Sequence, residues 1–432
     1  MNFEKQDRAM LRAYNKTAVM RILLTHDQIY RAEISRLAGL SIPTVMKITD
    51  EFIKSGLITE LGKGVSSGGK PPEMLQLIPN SRFFIGVDTR GVEFRCAIMN
   101  MRGEILFRHQ ISAVELRQPK ENGADAERRG TVVNAAVKEN TPEVLKDGGT
   151  ILVQLVIKLI TQMLERAGLD PSRIVGIGIG VPYPVNTKTG RIVAIKELGV
   201  EDFDLIGPVQ EAFGMPVFLE NTSKTIALAE KWFGEAVHEQ NFAMLTIGHG
   251  IGSAIFIGNE IYSGSNGASG EIGHMSIEPD GPLCRCGNRG CLEAMASVTA
   301  LKRIVQERLR HGENSMLSKT AEPSTAQICE CARRGDALAL KALDQMTDCL
   351  AIGITNLVNL MDINLVLLSG GIVEIYPEMC AQISEKVEIR RNSYFRDWRV
   401  AIKPLQIGAD AAMIGAATML LKQIVDGGGN LK

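Results

Sequence analysis

The feature that most constrains the fold is a plan stated twice. Residues 83–100, FFIGVDTRGVEFRCAIMN, read as strand, turn, strand, and GEILFRHQISAV adds a further strand. Residues 242–264, FAMLTIGHGIGSAIFIGNEIYSG, repeat the strand, Gly turn and strand. Each unit is followed by α/β elements. After the first come the helix GGTILVQLVIKLITQMLERAG, the buried strand IVGIGIGVPYPV, the strand MPVFLEN and the helix SKTIALAEKWFG. After the second come the strand NLVLLSGGI and a closing helix, GADAAMIGAATMLLKQI. Short apolar strands alternating with helical periodicity predict an α/β body, duplicated as two lobes around a cleft. A chain of 432 residues exceeds what one core serves. We therefore divide it into residues 1–80, a first lobe at 81–240 and a second lobe at 241–432. A polar, weakly patterned excursion occupies about 115–140.

Residues 1–80 carry a different pattern. LRAYNKTAVMRILLTH has helical spacing through Val19, Ile22 and Leu23, and RAEISRLAG is a second helix closed by Gly39. Ser41 is a good N-cap for a third helix, IPTVMKITDEFIKSG, ended by Gly56. LITE and EMLQLI flank KGVSSGGKPP and can pair as a two-stranded wing. Helix, helix, short connection, helix and wing is the order of a winged helix-turn-helix. Pro43 sits in the first turn of the third helix, and Ser41, Thr44 and Lys47 share one side. Ile42, Val45 and Ile48 have the same spacing on another side, as an inward face would. Ser41, Pro43, Thr44 and Lys47 are thus candidates to meet base edges of duplex DNA, and Arg31, Lys63 and Lys70 to reach phosphates. The bland alternative is a protein-interaction module with a solvated polar face.

The run GEIGHMSIEPDGPLCRCGNRGCLE, residues 270–293, gathers His274, Cys284, Cys286 and Cys291 in a polar, Gly-rich stretch. Cys₃His is a ligand set of closed, structural zinc sites, so one zinc per chain is expected. Glu271 and Glu293 flank the cluster and are not needed for the metal. Together with Asn221, at a strand-to-helix junction, and His274, they form the kind of acceptor and donor set that holds sugar hydroxyls. Helix capping by Asn221 and Glu293 is the competing role. The turns Asp88-Thr89-Arg90-Gly91 and Gly248-His249-Gly250-Ile251-Gly252 stand where actin-like ATP-binding folds cradle phosphates. The first is poor for that purpose, because Arg90 fills it and one glycine remains.

A net charge of −1 excludes nucleic-acid binding by bulk charge. Residues 1–80 nevertheless carry +3, from 11 basic against 8 acidic groups, and the remainder −4. No apolar run is long enough to cross a membrane, and MNFEKQDRAM lacks a signal-peptide core. The other cysteines, at 96, 329, 331, 349 and 380, are scattered and read as structural thiols, which fits a reducing cytoplasm.

GEIGHM followed by CRCGNRGCLE, with AEISRLAGLSIPTV and SSGGKPP in the N-terminal region, resembles the ROK family (repressors, open reading frames and sugar kinases), most closely its repressor branch. The resemblance implies a winged helix-turn-helix joined to a two-lobed, actin-like ATPase (ribonuclease H-like) sugar-kinase body. It implies zinc on His274 and the three cysteines, and sugar hydroxyls on Asn221, Glu271, His274 and Glu293. It also implies a DNA operator, a small carbohydrate or sugar-phosphate effector, and a homodimer or higher homo-oligomer. Two departures bear on activity. The family's kinases place an aspartate base directly after the asparagine, where this chain has Thr222, and Thr89-Arg90-Gly91 replaces their Gly-Gly-Thr turn. Phosphoryl transfer rests on positioning and charge stabilisation, so no catalytic residue is expected. The alternative is an active ATP-dependent carbohydrate kinase using Glu220 as the base.

Overall fold

The computed structural model describes residues 3–63, 73–112, 142–195, 198–320, 322–391 and 399–427. The excursion at 115–140 and Lys70 lie outside the described residues. The chain forms two compact units, residues 1–232 with 410–432, and residues 233–409.

The first unit opens with α1 (Phe3–Thr25), β1 (Ile29–Tyr30), α2 (Arg31–Ala38), α3 (Ile42–Lys54), β2 (Ile58–Lys63) and β3 (Glu73–Leu77). Gly39 ends α2 in the left-handed conformation, and the Ser41 hydroxyl accepts from the Thr44 N–H to start α3. β2 and β3 pair antiparallel as the expected wing, and β1 joins them on the other side of β3. Val45, Ile48 and Phe52 of α3 bury against Ile34 of α2 and Val19, Met20 and Leu23 of α1 as the module's core. Ile42 departs from expectation: it is 49% exposed. Three-residue steps on a helix of about 100° per residue drift back by about 60° each. Ile42 and Ile48 therefore stand about 120° apart, and only the later residues face inward.

The body of this unit is a sheet of β4 (Phe83–Asp88), β5 (Glu93–Asn100), β6 (Ile105–Ser112), β7 (Ile174–Val181) and β11 (Val217–Asn221). Between them lie α4 (Pro142–Ala167), the small sheet β8 (Val185–Asn186), β9 (Arg191–Ile195) and β10 (Val200–Phe203), and α5 (Ile206–Phe213). α6 (Thr222–Phe233) follows β11 directly. The second unit contains β12 (Phe242–Ile247), β13 (Ile251–Ile257), β14 (Glu260–Ile261), α7 (Leu292–Ala296), α8 (Val298–Arg310), α9 (Thr325–Arg333), α10 (Ala337–Met361), β15 (Leu365–Ser369), α11 (Gly371–Ile375), α12 (Glu378–Arg390) and β16 (Ala401–Pro404). The sheet orders are β6-β5-β4-β7-β11 and β14-β13-β12-β15-β16. In each, three antiparallel strands are followed by two parallel ones. The doubled plan read from the sequence is a doubled topology. Cys329 and Cys331 are buried in the apolar core of the second unit, as structural thiols.

The sequence reading carried the second lobe to the C-terminus. In the structure α13 (Ala411–Gly427) instead belongs to the first unit, packed on β4 and β7. The approach is backbone-close: a Cβ on Gly178 of β7 would overlap the Ala416 carbonyl of α13, and one on Gly415 would overlap the Thr225 carbonyl of α6. α13 also carries the N-terminal module. Thr17 of α1 donates to Asp426 at 2.7 Å, and Arg21 of α1 stacks 5.3 Å from the ring centre of Trp232 on α6. On its other side, α1 places Lys16 2.9 Å from Glu51 of α3, with Arg12 on the same carboxylate. Gly178→Ala should lower stability by about 2 kcal/mol or more, since backbone cannot yield as a side-chain tip does; a thermal melt followed by Trp fluorescence checks this.

Candidate metal centre and ligand site

The metal loop is built on two short antiparallel bridges, Ser276 with Cys291 and Leu283 with Arg289. Between them the chain turns tightly. Cys284 N–H donates to Asn288 at 2.7 Å and Gly287 N–H to Cys284 at 2.9 Å, with Gly287 at a φ of +95°. These turns bring four donor atoms, from His274, Cys284, Cys286 and Cys291, within 4.8 Å of one another. Cys286 Sγ lies 3.7 Å from Cys291 Sγ, and Cys284 Sγ 3.7 Å from His274 Nδ1. Two sulfurs about 2.3 Å from a common tetrahedral centre stand about 3.8 Å apart. The donor set and its spacing therefore fit one tetrahedral ion. Burial pushes the Cys291 thiol up to about 12, whereas the Asn288 backbone N–H helps hold Cys286 below the ordinary thiol range. Ligation replaces these protons, so metal uptake releases them to solvent.

His274 presents Nδ1 to the cysteines, and its Nε2 is 3.9 Å from Glu271 Oε2. One imidazole can thus offer one nitrogen to a metal and keep the other beside a half-exposed carboxylate. Glu293, at the start of α7, is almost fully buried. It does not cap α7; its Oε2 accepts the Ile251 N–H at 3.0 Å. Arg285, set between two metal-ligand cysteines, grips the same carboxylate through Nε at 2.7 Å and Nη2 at 3.1 Å. Sequence reasoning missed this pair. Its only trace was an arginine at the middle position of Cys-Arg-Cys.

In the first unit, Asn221 does cap a helix: its Oδ1 accepts the Ser223 N–H at 2.9 Å, while Nδ2 donates to the Tyr183 carbonyl at 3.1 Å. Glu220 accepts the Asn221 N–H at 2.8 Å and lies 3.5 Å from Lys224. Burial raises its pKa, and Lys224 works against that rise. The Thr222 hydroxyl is buried, with no hydrogen-bond partner among the described residues. At the β4–β5 turn, Arg90 folds back on Asp88, with Nε 3.0 Å from Oδ1 and Nη2 2.9 Å from Oδ2. Arg95 adds a contact to Oδ2 at 2.8 Å. Burial pushes the Asp88 carboxyl up, but the two guanidinium groups outweigh it and hold the pKa below the usual range. The turn that would receive a phosphate is occupied by an internal ion-pair cluster.

In the N-terminal module the candidates divide. Lys47 and Pro43 are exposed on α3, and Lys63 closes β2. Ser41 and Thr44 hydroxyls are 2.8 Å apart and serve the helix start. Arg31 is committed inside the module: it donates to Thr49 at 3.0 Å and pairs with Asp50 at 3.2 Å and Glu60 at 2.7 Å.

Cys286→Ser removes one of four donors, and metal measured by mass spectrometry in the purified protein should fall well below one ion per chain. Unchanged metal content would remove Cys286 from the ligand set.

Residues 84–423 match the model of the ROK family. The xylose repressor of Bacillus subtilis is 30% identical over 424 residues, covering 97% of this chain and 98% of that protein. Among solved structures, a ROK family transcriptional regulator described as a homologue of the E. coli MLC protein superposes with a TM-score of 0.76 at 27% identity, over 97% of this chain and 98% of that one. The ROK hexokinase from Thermus thermophilus covers 78% of this chain and 96% of its own, with a TM-score of 0.58 at 27% identity. The body is thus shared with sugar kinases and the whole length with regulators. The chain belongs to the ROK family.

Proposed function

We propose that this protein is a sugar-responsive DNA-binding transcriptional regulator, a repressor, whose kinase-like body senses a carbohydrate without phosphorylating it. The observation that carries this reading is the full-length match to regulators, which takes in a winged helix-turn-helix as well as the ROK body. Zinc is the ion proposed for the His274, Cys284, Cys286 and Cys291 cluster, where it supplies rigidity. Asn221, Glu271, His274 and Glu293 are proposed to contact sugar hydroxyls. In support, Thr222 leaves a buried hydroxyl unsatisfied beside Asn221, as a group awaiting a ligand would. Catalysis is disfavoured by two groups: Thr222 stands where a base is required, and Arg90 and Arg95 hold the phosphate turn.

In this reading DNA is met by Pro43, Thr44 and Lys47 of α3 and by the wing lysines Lys63 and Lys70, with Ser41 setting the helix start. Arg31 reaches a phosphate only by exchanging its present partners. A cytoplasmic homodimer places two modules on half-sites about 34 Å apart. No helix among the described residues is long and apolar enough to cross a membrane. Ligand changes DNA affinity only through a structural difference that both sites feel. α6 offers one: it begins beside Asn221 and carries Trp232 in its last turn, against Arg21 of the helix that holds α3.

The similarity to a xylose repressor puts xylose first in a panel of neutral, amino and 6-phosphorylated sugars. Calorimetry should find a binder, and duplex binding should change in its presence, while a coupled ATPase assay stays at background. Robust sugar-dependent ATP turnover would instead establish the kinase. Lys47→Ala should weaken duplex binding, lower the salt slope by about one and leave sugar affinity alone; equal affinity and slope would exclude Lys47 from the interface. Arg21→Ala should reduce the sugar-induced change in duplex affinity by about threefold or more, out of the 5–150-fold typical of coupled sites. An unchanged ratio would show that the signal bypasses α6.

A further inference from the structure

The recognition helix carries an apolar strip on its solvent side. Ile42 is 49% exposed and Met46 47% exposed. They are four residues apart and so adjacent on one edge of α3. Single exposed apolar side chains are ordinary and need no explanation. This pair differs in what surrounds it. Around the same exposed face run Pro43, Lys47 and Lys54. Among the described residues of α3 the acid on that face is Asp50, which pairs with Arg31 at 3.2 Å, a guanidinium it shares with Glu60. The face is therefore apolar along one edge and cationic along the other, on a module carrying +3. A protein partner fits the apolar edge but leaves the lysines without counter-charges. The major groove of duplex DNA satisfies both, because phosphates line it and one base, thymine, offers an apolar group on its edge, the C5 methyl.

We propose that Met46, with Ile42 beside it, reads thymine methyl groups in the major groove, so that each operator half-site carries a thymine whose methyl packs on this strip. This rests on the DNA-binding reading and adds to it a base preference set by apolar contact rather than by hydrogen bonding. Methionine suits the task, since its unbranched, polarisable side chain settles against a methyl group without a fixed rotamer. Lys47 and Lys54, on the other edge, hold the helix to the backbone and carry no sequence information in themselves.

The test deletes single methyl groups from the DNA. The full-length chain is used to select a duplex from a random 40-base-pair library, and each thymine of that duplex is then replaced singly by uracil. Burying one methyl is worth a factor of about four in affinity. One or two positions in each half-site should therefore lose about fourfold on replacement, and the others less than twofold. With Met46→Ala the overall affinity should fall, and the penalty at one of those positions should vanish. Met46→Leu, which keeps an apolar contact, should retain it. If no uracil position matters, or if Met46→Ala keeps every penalty of the parent chain, the inference is overturned while DNA binding stands. Selection of no duplex at all overturns the DNA-binding reading itself. A changed oligomeric state in Met46→Ala with unchanged uracil penalties assigns the strip to protein contact and likewise sinks the proposal.

Discussion

The first unit hangs on two backbone-to-backbone contacts made by α13. Glycine at 178 lets α13 lie directly on the sheet, and glycine at 415 lets α6 lie directly on α13. Side chains at either place would hold the layers apart. Because α6 leaves β11 at Asn221 and carries Trp232 in its last turn, its position against α13 sets where Asn221 stands and where Arg21 of α1 finds its ring. α1 in turn is fastened to α13 by Thr17 and to α3 by Lys16. α3 of the N-terminal module and Asn221, the proposed DNA-contact and ligand-contact elements, are thereby referred to one buried frame. A frame of this kind transmits small shifts because packed interiors do not deform continuously.

On the proposed non-catalytic reading, the departures from the kinase pattern are accommodated locally. Opening a phosphate turn beside a buried aspartate would leave that carboxylate without a counter-charge, which is costly in a low-dielectric setting. Arg90 and Arg95 supply the charge from within the chain. Glu293 shows the same solution in the other unit, where Arg285 completes a buried carboxylate next to the metal loop. In both places an arginine makes a family carboxylate self-sufficient. Glu293 still has an acceptor direction left on Oε1, so a ligand hydroxyl and Arg285 need not exclude each other.

Much of this was legible in the residues. The gathering of His274 with the three cysteines was, because thiols and an imidazole at close spacing in a polar, Gly-rich loop fold together around their own turns. The doubled topology was as well, because strand, Gly turn and strand are punctuated locally, and so was the wing, whose strands flank their own turn. What was not legible depends on distant partners. The sequence marks residues 408–424 as a closing helix, but not that it returns to the first unit. The three-residue spacing of Ile42, Val45 and Ile48 suggested one inward face, and the helix's own drift turned Ile42 outward. Arg31 looked like a free cation until Asp50 and Glu60 came to it from α3 and β2. Charge pairs across 19 or 29 residues leave no periodic trace.

The discontinuity of the first unit has a further consequence, in the order of events during synthesis. Residues 233–409 are continuous and hold their own core, so they can fold as soon as they leave the ribosome. The sheet that precedes them waits for α13, which is made after them. Until then β4 and β7 lack their cover, α6 lacks its support, and α1 has nothing on which to fasten the DNA-reading module. A chain halted before residue 411 would contain every candidate DNA-contact residue, yet it would hold them on an unfinished base. Synthesis through α13 is thus what completes the support of the N-terminal module.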